Sequence, residues 1–257
     1  MKRNLIIYHG SKEIVEKPIF GKGNPKNDYG LGFYCAEEIE IAKEWSVNLN
    51  KDGYLNIYEL DMTGLSILDL TSDEYNTLHW INILIQNRTF SIKNDIASEG
   101  KKYLDEHFSL DYENFDIIKG YRADDSYFTF AQAFLNNTIS CQRLSEALKL
   151  GKLGEQIVIK SKKAFDHLKF IGQVKAEAGT YYPLRKERIE KARDAFLNDK
   201  KGVKLTDALY LSEIIKGGID ENDTRLRWIL FRFNSKHSWL NVRTLFSLWK
   251  NKCKWFH

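Results

Sequence analysis

The stretch Tyr8-His9-Gly10-Ser11 closes a short apolar run, Leu5-Ile6-Ile7, near the start of the chain. A brief apolar run that ends in polar residues and glycine is typical of a buried β-strand, so this stretch sets the first strand of the fold. Gly10 has no Cβ, and the backbone N–H and C=O groups beside it can therefore approach a ligand closely. A carboxamide requires such a donor and acceptor side by side. The sequence thus predicts a ligand site at the end of this strand.

A second aromatic ring follows a loop over residues 11–32 that contains glycine, proline and lysine. Asp28-Tyr29 ends the loop, and Gly30-Leu31-Gly32-Phe33-Tyr34 leads into another short strand. The Tyr34 ring offers a flat face that stacking and cation–π attraction would hold against a positively charged aromatic ring. His9 can donate a hydrogen bond to a ribose hydroxyl. The two rings predict a pocket for a cationic, ring-containing ligand.

A third strand is predicted at Gly154-Glu155-Gln156-Ile157-Val158-Ile159, which has an acid and an amide at its start. Either side chain can hold a ribose 2′-hydroxyl, and a carboxylate would also stabilise the positive charge on a sugar that loses its leaving group. Neighbours on a strand point to opposite faces, so one of Glu155 and Gln156 faces the pocket, and the pattern leaves both open. The three strands together point to NAD⁺ as a substrate.

These motifs resemble the ADP-ribosyltransferase superfamily, in the branch with a His-Tyr-Glu triad that includes diphtheria toxin and the poly(ADP-ribose) polymerases. More closely, the chain resembles a bacterial family of domains of unknown function that is placed in that superfamily and is often found beside small antitoxin-like genes. The resemblance covers residues 4–226. The motifs that carry it are Tyr8-His9-Gly10-Ser11, Asp28 to Tyr34, Gly120-Tyr121-Arg122-Ala123-Asp124-Asp125-Ser126-Tyr127-Phe128, Ile139-Ser140 and Gln156-Ile157-Val158.

The resemblance implies an α+β fold, an ADP-ribosyltransferase-like split β-sheet sandwich with helical insertions. It also implies transfer of ADP-ribose from NAD⁺ to a protein or nucleic acid, by a toxin or defence effector with a small antitoxin as a possible partner. His9 would hold a ribose hydroxyl, the backbone of Gly10 would bind the carboxamide, and Tyr34 would stack on nicotinamide. The polymerases favour Glu155 as the third catalytic residue, whereas the bacterial relatives favour Gln156.

The choice at the third position affects the expected activity. A glutamine binds ribose but carries no charge to stabilise a cation, so Gln156 would put polymer formation in doubt. Transfer of a single ADP-ribose, NAD⁺ hydrolysis by a glycohydrolase, and a non-catalytic NAD-binding module all stay open.

Four further residues are expected to contribute to NAD⁺ binding, although each also has a structural interpretation. Ser11 fits either a turn cap or a contact to the ribose. Asp28 fits either the turn or the mouth of the pocket. Arg122 and Asp125 fit either the N-terminal turn of a helix, together with Asp124, or a place near the NAD⁺ phosphates and the acceptor.

The amino-acid composition limits the classes of protein to which the chain can belong. Of the 257 residues 43% are hydrophobic and 13% aromatic, which supports a sizeable core. The sequence has no apolar run of membrane length and no signal peptide, which predicts a cytoplasmic protein. Cys35, Cys141 and Cys253 lack metal-ligand spacing, so we expect a reduced compartment and no metal site. Cys35 is expected to point away from the pocket into the core.

Three regions are predicted: an ADP-ribosyltransferase-like domain over 1–178, a helical part over 179–226, and a tail over 227–257. Residues 225–257 hold four of the six tryptophans, eight Lys or Arg and no acid, so their charge of +8 against +4 for the whole chain leaves −4 for the rest. The body alone is therefore not typical of a nucleic-acid binder. The tail fits a packed terminal helix, a surface for RNA or an acidic partner, or a membrane-surface helix.

Hydrophobic periodicity places the elements coarsely. Strands are predicted over 4–9, 32–35, 54–61, 65–70, 115–120, 155–160 and 170–178. Helices are predicted over 36–49, 75–86, 92–108, 124–136, 141–150, 181–200 and 206–215.

Overall fold

The structure is a computed structural model that describes residues 4–123, 125–149, 154–198 and 208–226. The chain divides into two compact units, Met1–Glu221 and Asn222–His257. In the first unit the described residues form a seven-stranded mixed sheet with helices around it, which confirms the predicted α+β class. In the second unit Arg225 pairs with Asp223 at 2.6 Å. The predicted tail over 227–257 lies outside the described residues.

The sheet is built mainly from antiparallel neighbours. Its strands are β1 (Asn4–Ser11), β2 (Phe33–Ala36), β3 (Gly53–Asp61), β4 (Ile67–Asp69), β5 (Ile117–Tyr121), β6 (Glu155–Ile159) and β7 (Leu168–Ala176). Their order across the sheet is β4-β5-β6-β2-β1-β3-β7. The β4–β5 pair is parallel, and the other neighbouring pairs are antiparallel. The motif strands β1, β2 and β6 therefore lie side by side in the middle of the sheet.

With the exception of α6, the helices fall close to the segments predicted from periodicity. They are α1 (Ile39–Ser46), α2 (Thr77–Asn87), α3 (Asp95–His107), α4 (Asp125–Leu135), α5 (Cys141–Lys149), α6 (Lys162–Asp166), α7 (Ala178–Asn198) and α8 (Leu211–Lys216). Polar side chains cap several N-termini; those of Asn76, Asn94 and Ser161 accept hydrogen bonds from backbone N–H groups of α2, α3 and α6. None of the helices in the described part of the chain has the length and apolar character needed to cross a membrane.

The two faces of the sheet carry separate hydrophobic clusters. We call one face the Phe33 face; its cluster contains Ile7, Phe33, Cys35, Tyr58, Leu60, Ile117, Ile157, Ile159 and Ala164. We call the other the Ala36 face; its cluster contains Ala36, Ile41, Ala42 and Leu55, of which Ile41 and Ala42 belong to α1. Because side chains alternate along a strand, His9 lies on the Phe33 face and Tyr34 on the Ala36 face.

The sheet is continuous, but its two halves are joined weakly at β1 and β2. β1 pairs with β3 along its whole length, from Asn4–Asp61 to Ser11–Tyr54. In contrast, one register pair, Tyr8–Ala36, joins β1 to β2 among the described residues. The pairing of β1 with β2 therefore ends at Tyr8, directly before the His-Gly-Ser tripeptide.

Helix α1 lies directly against β1 at Gly10. A Cβ at this position would stand 2.0 Å from the carbonyl oxygen of Ala42, so the close approach of the helix requires glycine. This helix is shorter than the predicted 36–49 because Ala36 is still paired in β2 and Val47 is already extended, with φ −101° and ψ 153°.

Candidate functional site

His9 stands where the pairing of β1 with β2 ends. Its Nδ1 atom lies 2.7 Å from the backbone oxygen of Tyr34, and its ring packs on the Phe33 ring with 4.3 Å between centroids. A carbonyl oxygen can only accept, so Nδ1 carries the proton and Nε2 of the neutral ring is an acceptor. Burial lowers the pKa of His9 below its usual 6.5, against an opposing effect of the bond to Tyr34. The neutral ring is therefore the favoured form at neutral pH.

Ser11 and the chain after it are fixed by the buried side chain of Asn56. The Asn56 amide donates to the Ser11 hydroxyl at 2.9 Å and accepts from the backbone N–H of Val15 at 2.8 Å. The Ser11 hydroxyl in turn donates to the carbonyl of Glu13 at 2.5 Å. These bonds give Ser11 the turn-capping role, and they anchor the start of the long loop on β3.

The hydroxyl of Tyr34 closes the turn that precedes its own strand. It donates to the carbonyl of Gly30 at 2.6 Å and accepts from the backbone N–H of Tyr29 at 3.1 Å. Gly30 has a φ of +71°, which favours glycine, and a Cβ there would meet the Asn87 side chain at 2.6 Å. Burial raises the pKa of the Tyr34 phenol, which stays protonated as both donor and acceptor. The phenol end of Tyr34 thus holds the turn, and its ring lies on the face of the sheet opposite to that of His9.

Asp28 is buried below this turn, not at an exposed mouth. One carboxylate oxygen accepts from Arg88 at 2.6 Å. The other accepts from the backbone N–H of Ala123 at 2.8 Å and from the Gln156 amide at 3.0 Å. We call the loop over residues 11–32 the motif loop. The carboxylate of Asp28 therefore connects the motif loop to the end of α2, to the chain after β5, and to β6.

The structure separates the two candidates of the third motif. Gln156 is in register with Ala36, so it shares the Ala36 face with Tyr34, and it is 3% exposed. Glu155 lies on the opposite face, where its carboxylate pairs with Lys119 at 2.9 Å and its side chain is 41% exposed. Of the two, Gln156 is thus the residue beside Tyr34, although its amide is directed at Asp28.

Arg122 lies at the end of β5 and stacks on an aromatic ring of α1. Its guanidinium carbon is 3.9 Å from the centroid of the Trp45 ring, a cation–π geometry. Asp125 begins α4, but its side chain, like residue 124, lies outside the described part of the structure. The structure therefore places Arg122 against α1 and does not test the expected contact of Asp125.

Two cations that hold the motif loop were missed by the sequence reasoning. Arg88 follows α2 and binds Asp28, and Lys160 follows β6 and donates to the carbonyl of Tyr29 at 2.8 Å. The Lys160 side chain is 4% exposed and also pairs with Glu113. The available signal was a single cation directly after an apolar segment, a pattern too common to mark either residue.

Two of the three cysteines are buried in the interior of the protein. Cys35 is fully buried in the cluster of the Phe33 face, where burial raises the pKa of its thiol. Cys141 is buried as well, whereas Cys253 lies outside the described residues. Among the residues that the structure describes, His, Cys, Asp and Glu side chains form no group of three that could hold a metal ion.

The fold and site define an α+β protein whose three motif strands lie side by side in one sheet, with a single register pair between β1 and β2 among the described residues. Comparison with protein families matches residues 5–170, which is more than half of the chain. The chain belongs to this family, described as protein of unknown function (DUF3990). No curated protein and no solved structure matches the chain. The family match ends inside β7, so α7 and α8 lie beyond it.

Proposed function

We propose that the chain binds NAD⁺ where β1 and β2 part and transfers ADP-ribose from it to a macromolecular acceptor, as an ADP-ribosyltransferase-like domain. The observation that carries the proposal is the His9 ring, which is fixed beside the single register pair that joins the two strands in the described residues. Family membership adds no activity to this argument, because the family is described as being of unknown function.

The groups where β1 and β2 part suit the carboxamide and the ribose of a nicotinamide riboside. Gly10 lies next to the point where the pairing of β1 with β2 stops, so a carboxamide bound there would meet the backbone of β1. His9 uses Nδ1 within the protein, so its Nε2 atom would accept from a ribose hydroxyl. This reverses the donor role that the sequence predicted for His9, and keeps the same residue and the same ligand.

The reaction requires little covalent chemistry from the protein. The bond between C1′ of the ribose and the pyridinium nitrogen breaks, and its electron pair leaves with nicotinamide, which becomes neutral. A nucleophile of the acceptor forms a bond to C1′ and loses its proton to solvent or a base. The protein would contribute placement of the two reactants. Gln156 would add no negative charge, so we propose transfer of a single ADP-ribose and no polymer formation.

A role as a bacterial toxin or defence effector, with a small antitoxin as partner, belongs to the same proposal. It rests on the resemblance of the motifs alone. The acceptor, protein or nucleic acid, is left open by this argument.

A non-catalytic NAD-binding module is the second candidate, and one observation favours it. On the Ala36 face the third motif supplies an amide, Gln156, while the nearby carboxylate of Asp28 already accepts three hydrogen bonds. No charge at these two positions is left to stabilise a developing sugar cation. Binding of NAD⁺ without turnover would be the signature of this candidate.

The first test is release of nicotinamide from NAD⁺ by the purified protein, with and without cell lysate, and with His9→Ala beside it. His167→Ala is the matched control, since His167 also places Nδ1 2.7 Å from a backbone oxygen, that of Asp61, but lies at the start of β7. We expect release that needs lysate, falls about 100-fold in His9→Ala, as loss of a group that positions the substrate does, and is kept in His167→Ala.

The other outcomes separate the alternatives. Release in buffer alone would identify an NAD⁺ glycohydrolase. Binding of NAD⁺ without release in either condition would identify the binding module. Equal release by the wild type and His9→Ala would overturn the placement of the site at the β1–β2 opening.

A further inference from the structure

The buried carboxylate of Asp28 joins three separate parts of the chain. Asp28 is 6% exposed, and its oxygens accept from the Arg88 guanidinium at 2.6 Å, the Ala123 N–H at 2.8 Å and the Gln156 amide at 3.0 Å. The charge is thus balanced by one cation and by two neutral donors. A buried carboxylate is stable only when its partners are donors of this kind.

The orientation of the Gln156 amide is set by its two neighbours. Its nitrogen lies 3.0 Å from the Asp28 carboxylate and 3.3 Å from the carbonyl oxygen of Tyr121. Both neighbours are acceptors, so the NH₂ group, and not the oxygen, must face them. An ionised glutamate at position 156 would have no donor to offer at this place.

We propose that Gln156 is a positioning residue: the hydrogen bond from its amide holds the Asp28 carboxylate in place, and we call this bond the lock. A carboxylate at position 156 is incompatible with the lock. The inference rests on the proposed function only in assigning Tyr34 to the NAD⁺ site. The glutamine is then a requirement of the buried Asp28, and not a catalytic glutamate that has lost its charge.

The lock reaches Tyr34 through the loop that follows Asp28. Lys160 holds the carbonyl of Tyr29 at 2.8 Å, and the Tyr34 hydroxyl holds the N–H of Tyr29 and the carbonyl of Gly30. The Tyr29 hydroxyl donates to the carbonyl of Tyr121 at 2.8 Å, the same oxygen that the Gln156 amide contacts. A shift of Asp28 would therefore move the turn that sets the Tyr34 ring.

The test is the melting temperature of Gln156→Glu as a function of pH, measured without NAD⁺. The charged or titratable groups that interact with Asp28 among the described residues are Arg88, Tyr29 and Tyr34. Two ionised carboxylates side by side repel each other, so the loss of stability is present at neutral pH and falls as acid neutralises the introduced carboxylate. We expect a melting temperature about 5–10 °C below wild type at pH 7.5, as for a broken buried charge pair in a chain of this size. We expect this difference to close towards pH 4.

Two further variants give the test its controls. Gln173→Glu makes the same change on an exposed position of β7 and is expected to melt like the wild type at every pH. Asp28→Asn combined with Gln156→Glu leaves one carboxylate in place of two, so the part of the deficit that depends on pH is expected to shrink by about half or more. NAD⁺ affinity, where the wild type binds NAD⁺, should fall in Gln156→Glu and stay at the wild-type value in Gln173→Glu.

Other results would contradict the lock or the proposed function. A melting-temperature deficit of Gln156→Glu that is the same at every pH, or a pH dependence that Asp28→Asn leaves unchanged, would indicate a packing defect and overturn the lock. Wild-type melting of Gln156→Glu together with faster nicotinamide release would show that position 156 faces the ligand. Failure of the wild type to bind NAD⁺ would end the proposed function but leave the melting test of the lock intact.

Discussion

The two ring nitrogens of His9 have different tasks. Nδ1 donates to the Tyr34 carbonyl and so fixes the ring at the opening between β1 and β2. Nε2 forms no hydrogen bond with the described residues and is the atom left to meet a ligand. The tautomer matters because an acceptor nitrogen suits a ribose hydroxyl, whereas a protonated ring would place a positive charge beside a cationic pyridinium.

This arrangement predicts a pH dependence for His9. Its pKa is lowered from 6.5, chiefly by burial, so the fold favours the neutral ring. The contribution of His9 to stability is then fully present above about pH 6.5 and is lost as the pH falls through the lowered pKa. NAD⁺ binding should fall over the same range. The measurement is ¹H–¹⁵N correlation NMR of the imidazole, with His9→Ala to assign its signals; a ring protonated at Nε2 at pH 7.5 would contradict the prediction.

At the scale of the elements, the apolar runs were enough to locate the strands, but not their neighbours. Leu5 to Tyr8 and Ile157 to Ile159 predicted buried strands. Both strands form, and Ile157 to Ile159 is buried, whereas in β1 Ile7 is buried and Ile6 is exposed. The choice between Glu155 and Gln156 needed the register of β6 on β2, which no local pattern contains. α6 has five residues, too few to show a helical period, and was missed.

The buried polar contacts also could not be predicted from the sequence. Asp28 and Gln156 are separated by 128 positions, and Asp28 and Arg88 by 60. Each of these residue types is common on surfaces, so nothing in its local setting marked it as buried. The site residues His9 and Tyr34 were found because glycine and apolar neighbours set them apart, and their role in binding NAD⁺ stays a prediction.

Helix α2 carries a polar group that the fold does not satisfy. Asn82 is 1% exposed, and neither its amide nitrogen nor its amide oxygen has a hydrogen-bond partner among the residues that the structure describes. Asn82→Leu, which keeps the branched shape, should raise the free energy of unfolding by about 1–2 kcal/mol, because an unpaired buried polar group is removed. Chemical denaturation measures this value.

Asn87 on the same helix is the matched control for Asn82. Its amide donates to the Ile83 carbonyl at 2.8 Å and to the Tyr112 hydroxyl at 3.0 Å. Asn87→Leu should therefore lower the free energy of unfolding by about 1–3 kcal/mol. A loss of stability in Asn82→Leu as large as that in Asn87→Leu would mean that the Asn82 amide is satisfied in solution, for example by a buried water.

At the scale of the whole molecule, α7 lies beyond the family match but is bound to α1, the helix that packs against β1. α1 packs on Gly10 of β1, and its Glu44 is 2% exposed. Arg188 of α7 binds the Glu44 carboxylate with two hydrogen bonds, at 2.9 Å and 2.8 Å. The first unit is thus one physical body across the end of the family match at residue 170.

Breaking this pair from the α7 side tests that dependence. Arg188→Met keeps the aliphatic stem but leaves the Glu44 carboxylate buried without its partner, so the free energy of unfolding should fall by about 2–4 kcal/mol at pH 7.5. Glu44→Gln in the same chain removes the stranded charge and should restore most of the loss. Chemical denaturation of the wild type, the single variant and the double variant at pH 7.5 gives the three free energies of unfolding. A single variant as stable as the wild type would mean that α1, and the β1 strand it covers, hold their places without α7.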